Sequence, residues 1–429
     1  MEHWRTLTGM KNELILITNQ YPFGSGEVTF IEPELFNLKD IFENLVILSK
    51  SADSSLNARV DNIKIYRCSS KIEIYEVIQY AFSILFSKIF FLELRTAIKK
   101  KSHLGKAVKL IFASLINEKK LQRVLKKIVR NSNADHILIY SYWFNYSVLA
   151  AINTKHRSNK DIKVVTRVHG YDLYDERNVL GYQPFQDSTI PNIDRIIFTC
   201  ESARKYYIQR HREAFNGQFF CGYMGVPKAK NKNNKQISEK QTDFILVSCS
   251  NVIPLKRIHI IIEALALLQS CKIRWYHFGD GASMQSIRNL AETKLGLRKN
   301  IKYKFCGQTD NNKLLQFYAS GRVNCFITTS ETEGMPVSVM EALAYGIPII
   351  ATDVGGVHEQ VHENENGILL KANPSNQEVA TAIKCIYDLS QAEKTKFGEN
   401  SYRIWKNLFD IDKNMTILKA ELNKVIMEK

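Results

Sequence analysis

Short runs of aliphatic and β-branched residues alternate with helical patterns along almost the whole chain. Strands that are separated by helices pair in parallel, so this alternation predicts an α/β fold with parallel sheets. We predict twelve strands, which are Leu14–Thr18, Leu45–Leu48, Ile63–Tyr66, Ile137–Tyr140, Lys163–Val168, Arg195–Thr199, Gln218–Cys221, Phe244–Cys249, Arg274–Phe278, Ile301–Phe305, Val323–Thr328 and Pro348–Ala351.

A polar stretch divides this pattern. Residues 228–242 are rich in Asn and Lys and nearly free of apolar side chains, which is typical of a solvent-exposed linker. We therefore predict an N-terminal domain over 1–227, a C-terminal domain over 243–410 and a last helix over 411–429. Two α/β domains of roughly 200 residues each, with a ligand cleft between them, suit the chain length of 429 residues.

The charge distribution is uneven. The chain carries a formal net charge of +16, and such an excess indicates a polyanionic partner. Residues 71–130 hold 14 Lys and Arg against four acidic residues, so they carry +10 of it. The run 78–92 inside this segment is rich in large apolar residues, which fits helices lying on an anionic membrane surface. A helical hairpin packed on the sheet with a solvated basic face explains the pattern equally well.

The eight cysteines occur singly, without a C-x-x-C pair or zinc-ligand spacing, as expected for reduced thiols in a cytosolic protein. The N-terminus lacks the charge and apolar pattern of a signal peptide. No run of 18 apolar residues is present, so we expect no membrane-spanning segment. These features predict a cytoplasmic protein.

The most informative block is SETEGMPVSVMEALAYGIPIIATDVGG, residues 330–356. Pro336 suits the first turn of a helix, where its missing N–H costs nothing. That helix would present the free N–H groups of Val337 and Ser338 to an anion, and a phosphate is the expected ligand.

Glu333 and Glu341 lie eight residues apart in the same block. A fully helical stretch would separate them by about 12 Å. The two carboxyl groups of a glycosidase lie at most about 9.5 Å apart, so we do not expect that chemistry. The two carboxylates could instead accept hydrogen bonds from hydroxyl groups at opposite ends of an extended ligand, with the diphosphate of that ligand lying between the two glutamates.

This block resembles the E-x7-E signature of the retaining, GT-B-fold glycosyltransferases of family 4. The resemblance implies two Rossmann-like domains that face each other across a cleft, with the C-terminal helix returning to the N-terminal domain. It implies that Glu333 contacts the donor sugar, that Glu341 contacts the nucleotide ribose, and that Gly334 belongs to the donor-binding loop.

Two further segments of the first half resemble family elements. Gly24, Ser25 and Gly26 follow the first predicted strand, and a glycine-rich turn lets backbone N–H groups approach a phosphate or an acceptor. His169 lies in the segment HGYD, which resembles the family's H-G-x-D element, whose His contacts the donor sugar. Asp172 of this element could instead cap the next helix.

In the second half, Lys256 matches the lysine of the family's G-R-L-x-x-x-K-G element and suits a diphosphate. The arginine of that element falls on Asn251, a departure from the family, and Arg257 is the candidate replacement for its charge. Gly307, in Cys306-Gly-Gln308, occupies a position that resembles a nucleotide-base loop.

The resemblance implies a retaining transferase that moves a sugar from a UDP-, GDP- or ADP-linked donor, with no cofactor and no essential metal. The implied acceptor is a glycan or a polyprenyl-diphosphate-linked saccharide of cell-surface polysaccharide biosynthesis. Exopolysaccharide and lipopolysaccharide transferases are similar around Phe30-Ile31. The basic segment then predicts peripheral docking on the cytoplasmic face of an anionic membrane.

Two alternatives stay open at this point. A sugar-nucleotide epimerase of the same fold would need a second acid–base pair, which the sequence does not identify. A basic nucleic-acid-binding protein would account for the charge of +16, but it requires a recognisable module of interleaved basic and aromatic residues, and none is found in the sequence. We therefore predict no nucleic-acid partner, and the sequence leaves the oligomeric state open.

Overall fold

The computed structural model describes residues 11–51, 53, 55–56, 63–68, 74–211, 218–229 and 243–428. The chain divides into two compact units: the described parts of Met1–Gly222 with Met415–Lys429, and of Tyr223–Asn414. The units change at 222/223 and 414/415, a few residues from the predicted boundaries at 227 and 411. Most of the predicted linker 228–242 lies outside the described residues.

The first unit is built on a parallel sheet of seven strands in the order β3-β2-β1-β4-β5-β6-β7. Its strands are β1 (Asn12–Thr18), β2 (Asn44–Ser49), β3 (Lys64–Arg67), β4 (His136–Ser141), β5 (Asp161–Val168), β6 (Arg195–Phe198) and β7 (Phe219–Cys221). Its helices are α1 (Val28–Leu38), α2 (Ile74–Leu85), α3 (Lys88–Lys99), α4 (Leu104–Asn131), α5 (Tyr146–Lys155), α6 (Gln186–Thr189) and α7 (Glu201–Arg210).

The second unit is built on a parallel sheet of six strands in the order β10-β9-β8-β11-β12-β13. Its strands are β8 (Phe244–Cys249), β9 (Ile273–Phe278), β10 (Ile301–Phe305), β11 (Cys325–Thr328), β12 (Ile349–Thr352) and β13 (Gly367–Leu370). The helices are α8 (Ile258–Leu267), α9 (Met284–Leu295), α10 (Asn311–Ala319), α11 (Val337–Ala344), α12 (Asn376–Asp388) and α13 (Gln391–Ile404), and α14 (Ile411–Met427) follows.

The twelve predicted strands are confirmed, each within two residues at either end. A strand that is buried on both faces must be apolar on both, so β1 and β8 read as continuous apolar runs. The strand β13 was not predicted. It is a half-exposed edge strand of four residues, and Gly367 at its start approaches β12 so closely that a Cβ would lie 1.9 Å from the Ile349 carbonyl oxygen.

The last helix groups with the first unit from Met415 onward. Arg195, at the start of β6, pairs with Glu421 at 2.7 Å and with Glu428 at 2.9 Å. Lys419 pairs with Asp40 at 2.6 Å. These ion pairs tie the end of the chain to the first sheet.

The predicted basic segment forms the helices α2, α3 and α4 over its described residues. They bury an apolar cluster that includes Ile84, Phe90 and Ile111, yet they also leave large apolar side chains exposed. In the described part of the chain, no single helix is long and apolar enough to cross a membrane. One bent pair, Tyr75–Leu85 with Lys88–Lys99, meets that criterion by length and composition only.

Candidate functional site

An ion pair marks the carboxyl edge of the second sheet. Lys256 ends a short 3₁₀ turn, Pro254–Lys256, that follows β8, and Glu333 lies in the loop between β11 and α11. Lys256 Nζ lies 2.6 Å from Glu333 Oε1. Glu333 is 9% exposed, so its charge is compensated mainly by this lysine rather than by water. The structure thus brings together two of the predicted site residues that lie far apart in the sequence.

The loop around Glu333 packs backbone against backbone. Gly355 adopts φ +60°, and a Cβ there would lie 2.1 Å from the Glu333 carbonyl oxygen. The N–H of Gly356 donates to the Gly334 carbonyl oxygen at 2.8 Å. Only glycine fits at 355, so this contact explains the first glycine of the Gly-Gly pair that ends the 330–356 block.

The helix α11 begins at Val337, and Pro336 is its N-cap residue rather than part of the first turn as predicted. The N–H groups of Val337 and Ser338 therefore open the helix, and the first N–H groups of a helix have no partner within it. Both residues are half-buried. Glu333 lies before the helix and Glu341 lies within it, so the separation of about 12 Å that a fully helical stretch would give does not apply to this loop-to-helix junction.

Glu341 lies on α11 and is nearly enclosed, with 6% of its surface exposed. The side-chain amide of Asn311, at the start of α10, donates to Glu341 Oε1 at 2.9 Å. Burial raises the pKa of Glu341 to about 7, and the hydrogen bond from Asn311 opposes the rise. Sequence reasoning missed Asn311, although it starts a helix directly after a strand, where the ligands of α/β sheets bind.

Arg257 connects several segments of the second unit through hydrogen bonds. It adopts φ +47°, and its guanidinium donates to the carbonyl oxygens of Thr329, Ser330 and Ala372 and to Asn373 Oδ1, at 2.6 to 2.9 Å. A role for Arg257 in place of the family arginine stays a prediction, and it would require these bonds to break. Asn251 is exposed beyond β8, and its predicted role also stays a prediction.

We expect Arg257→Gln to lower the free energy of unfolding by about 2 kcal/mol, because several charge-assisted hydrogen bonds are lost together. Chemical denaturation of the purified variant measures this. Arg322→Gln, at an exposed loop position, is the matched control and should change stability by less than about 0.5 kcal/mol. Equal stability of the two variants would show that the four bonds of Arg257 contribute nothing.

The loops after β8, β9 and β10 meet at two glycines. Gly279 adopts φ +130°, and a Cβ there would lie 2.0 Å from the Ser250 carbonyl oxygen. Its N–H donates to the carbonyl oxygen of Gly307 at 2.9 Å, and Gly307 itself adopts φ +69°. This contact places Gly307 at the carboxyl edge of the second sheet, where the sequence predicts a nucleotide-base loop.

In the first unit, His169 follows β5 and lies among aromatic rings. Its ring centroid is 4.6 Å from that of Trp143, 5.2 Å from Tyr142 and 6.0 Å from Phe30. Burial, and to a smaller extent the positive charge of Arg167, lowers the pKa of His169 to about 3. The imidazole is therefore neutral at physiological pH, so it can act as a hydrogen-bonding group and not as a cation.

Asp172 fixes the loop that carries this histidine. Its carboxylate accepts from the backbone N–H of His169 and of Phe144, both at 2.6 Å. The alternative that Asp172 caps the following helix is not what the structure shows, because neither bond comes from an N–H of the next helical turn, Asp175–Arg177. Burial raises the pKa of Asp172 to about 7.

The turn with Gly24, Ser25 and Gly26 leads through a short 3₁₀ helix into α1. The N–H of Gly24 donates to the Gln20 carbonyl oxygen at 3.0 Å. Glu27, which closes the turn, accepts from the backbone N–H groups of residues 19–21 at 2.6 to 3.2 Å. Hydrogen bonds among residues 19–27 thus fix the turn. A role for the turn in binding a ligand stays a prediction.

Sequence reasoning missed Lys50, which directly follows β2. Lys50 Nζ donates to Asn145 Oδ1 at 3.2 Å. Burial lowers the pKa of Lys50 to about 8, and the nearby carboxylates of Glu27 and Asp172 oppose this. Its place after an apolar strand was the available signal, since ligands bind at that edge of a parallel sheet.

Within the described residues, no group of three or more His, Cys, Asp or Glu side chains is arranged to hold a metal ion.

The chain was compared with known proteins. The family described as "Glycosyl transferases group 1" matches residues 229–404. The chain is 24% identical to the UDP-N-acetylglucosamine–peptide N-acetylglucosaminyltransferase GtfA subunit of Streptococcus agalactiae, over 58% of this chain and 50% of that protein. It is 22% identical to the poly(ribitol-phosphate) alpha-N-acetylglucosaminyltransferase of Staphylococcus aureus, over 59% of this chain and 48% of that protein. The match thus spans about half the length of each of these relatives.

Among solved structures, Anabaena Alr3699/HepE in complex with UDP is similar over 97% of this chain and 100% of that chain, with a TM-score of 0.67 and 17% identity. A likeness at this identity establishes the fold, and it extends over both units. The predicted GT-B architecture is confirmed at this level, whereas membership of family 4 stays a prediction. The chain therefore has the GT-B fold, and its residues 229–404 are similar to the family described as "Glycosyl transferases group 1".

Proposed function

We propose that this protein transfers a sugar from a nucleotide-sugar donor to a saccharide acceptor with retention of anomeric configuration. The observation that carries the proposal is the Lys256–Glu333 pair at 2.6 Å, next to the opening of α11. Lys256 and the N–H groups of Val337 and Ser338 supply positive charge for a diphosphate. Glu333 supplies an acceptor for sugar hydroxyl groups.

In the proposed reaction, the bond between the anomeric carbon and the diphosphate oxygen breaks, and the electron pair leaves with the nucleoside diphosphate. Lys256 and the start of α11 stabilise the negative charge that develops on this leaving group. The acceptor hydroxyl oxygen bonds to the anomeric carbon on the same face, and its proton passes to the departing phosphate oxygen. No carboxylate nucleophile is needed for this route.

We infer that the nucleotide is a uridine diphosphate. The name of the GtfA relative specifies a UDP-linked sugar, and the Anabaena structure contains UDP. In this proposal Glu341, held by Asn311, accepts hydrogen bonds from the ribose hydroxyl groups. The contact between Gly279 and Gly307 lies at the same sheet edge and is the proposed wall of the base pocket.

We propose that the first unit binds the acceptor, a glycan or a polyprenyl-diphosphate-linked saccharide destined for the cell surface. The Staphylococcus aureus relative is named for a polymeric acceptor, poly(ribitol-phosphate), which supports a polymer or saccharide acceptor. The basic, partly apolar surface of α2, α3 and α4 supports work at the cytoplasmic face of an anionic membrane. His169 is the proposed sugar-contacting residue of this unit.

The test is to incubate the purified protein with UDP-, GDP- and ADP-sugars and to measure release of each nucleoside diphosphate. We expect release from UDP-sugars, faster with a saccharide acceptor present, and a product whose anomeric proton coupling matches that of the donor. The proposal fails if the protein neither releases nor binds a nucleotide-sugar but binds RNA or DNA tightly at physiological salt.

A further inference from the structure

A groove in the first unit is lined by positive charges, and none of the candidate site residues is among the described residues that line it. It lies between α2 and the second half of α4 and has a volume of about 810 Å³. Polar residues of α2, Gln79, Tyr80 and Ser83, form one wall. Six cationic side chains line it, and its described lining contains no acidic residue; the cations are Lys119, Arg123, Lys126, Lys127, Arg130 and Arg157.

Most of this charge is not neutralised by the protein. Arg123 pairs with Glu76, and Lys119 lies 3.3 Å from Glu118. For the other four cations, no ion pair is found among the residues that the structure describes. Burial, and to a smaller extent the positive charges of Arg157 and Lys119, lower the pKa of Lys126. Like charges gathered in one groove repel one another. An anion in the groove would relieve this repulsion.

The groove is separate from the candidate catalytic residues of the first unit. The helix α4 ends at Asn131, shortly before β4 begins at His136, and Arg157 lies between α5 and β5. These residues therefore lie at the edge of the sheet where the strands begin. His169 follows the end of β5 and so lies at the opposite, carboxyl edge. A donor or an acceptor hydroxyl at that edge does not account for the groove.

An exposed apolar stripe runs beside the groove on the same helix. Ile78 is 63% exposed and Phe82 is 67% exposed. They are four residues apart on α2 and so share one face, and each is followed directly by a residue that lines the groove, Gln79 or Ser83. Phe86, just beyond the helix, packs against Phe82 with the two rings tilted and their centroids 4.9 Å apart. Cationic and apolar surfaces therefore adjoin.

We propose that this groove binds the phosphate-bearing headgroups of an anionic lipid bilayer while the stripe of Ile78, Phe82 and Phe86 enters the interface. A soluble polyanion would neutralise the cations but would leave the three apolar side chains in water. An anionic bilayer matches both, because it offers phosphates at its surface and hydrocarbon below them. The inference deepens the proposed function, since it rests on an acceptor that is anchored in a membrane.

The test is co-sedimentation with phosphatidylcholine vesicles with and without phosphatidylglycerol, in the absence of donor and acceptor. We expect the full-length protein to bind the anionic vesicles preferentially. The variant Lys127→Gln/Arg130→Gln/Arg157→Gln should bind them about a hundredfold more weakly, since each interfacial cation contributes about a factor of five. The matched control, Lys299→Gln/Lys302→Gln/Lys304→Gln, removes the same charge from exposed positions of the second unit and should bind like the wild type.

Binding of the wild type to both kinds of vesicle alike would overturn the proposal, as would equal losses in the two triple variants. Heparin, a soluble polyanion, is the second probe. If heparin binds through Lys127, Arg130 and Arg157 while anionic vesicles do not bind, the partner is a polyanionic glycan and the bilayer proposal is wrong. Vesicle binding is measured without catalysis, so its failure is distinct from a failure to release UDP.

Discussion

Replacing Lys256 with alanine is expected to lower the rate of sugar transfer by two to three orders of magnitude while the protein remains folded. Removal of one preorganised group that stabilises developing negative charge costs about 10²–10³ in rate. Lys256 supplies such a charge, and it is also the partner of Glu333 at 2.6 Å. The variant therefore loses stabilisation of the leaving diphosphate and leaves a carboxylate of 9% exposure uncompensated.

Initial rates of nucleoside diphosphate release measure the effect, and Lys313→Ala, on the exposed surface of α10, is the matched control. The double variant Lys256→Ala/Glu333→Gln separates the two causes. It should recover stability relative to Lys256→Ala, because the uncompensated charge is gone, without recovering the rate. A rate for Lys256→Ala within a factor of about two of the control would remove Lys256 from the proposed mechanism.

The fold could be predicted well because each strand carries its own apolar pattern within a few consecutive residues. A strand that is covered on both faces must be a continuous apolar run, and this holds for β1 and β8, whereas strands such as β10 alternate between buried and exposed residues. The edge strand β13 was missed because only part of it is buried, so its four residues carry a weak pattern. The 330–356 block is informative for a similar reason. It places the helix start, the close approach at Gly355 and both glutamates within 27 consecutive residues.

Contacts between segments that lie far apart in the sequence could not be predicted from such local patterns. Arg257 lies next to Lys256 in the sequence, which suggested a shared ligand, yet its guanidinium bonds to atoms 72 to 116 residues away. Arg257 joins the 3₁₀ turn Pro254–Lys256 to α8 with φ +47°, and sequence adjacency does not reveal the direction in which such a residue sends its side chain. Asn311 was missed because its partner Glu341 is 30 residues away.

The basic segment shows the same limit. Its charge was visible in the sequence. The helices α2, α3 and α4 pack a buried cluster, as the helical-hairpin explanation requires, whereas docking on a membrane stays a prediction. The convergence of Arg157 with the end of α4 was not visible. Arg157 lies outside the predicted segment 71–130, and only the packing of α5 beside α4 brings it to the groove.

The second large effect concerns Glu341. Replacing this residue is expected to raise the stability of the protein and to weaken donor binding. Burial raises its pKa from 4.5 to about 7, so the folded protein holds the proton more tightly than the unfolded chain does. As the pH rises through this window, the unfolded chain ionises first and is favoured. The wild type should therefore lose about 3 kcal/mol of stability between acidic and neutral pH on account of this group.

The variant Glu341→Gln cannot ionise, so it should be as stable as the wild type near pH 4 and more stable, by up to about 3 kcal/mol, near pH 8. The carboxylate is nevertheless the proposed partner of the ribose hydroxyl groups. Loss of one hydrogen bond to a charged acceptor, which contributes about 1.5–3 kcal/mol, should raise the Kd of UDP by about ten- to a hundredfold near pH 8.

Urea denaturation at both pH values and calorimetric titration with UDP measure the two effects, and Glu399→Gln, at an exposed position of α13, is the matched control. A buried carboxylate with no ligand role would yield the gain in stability alone. A loss of UDP affinity without any gain in stability near pH 8 would show that Glu341 ionises in the folded protein without cost. Only the combination supports the view that this unit gives up stability to keep a charged group ready for the ribose.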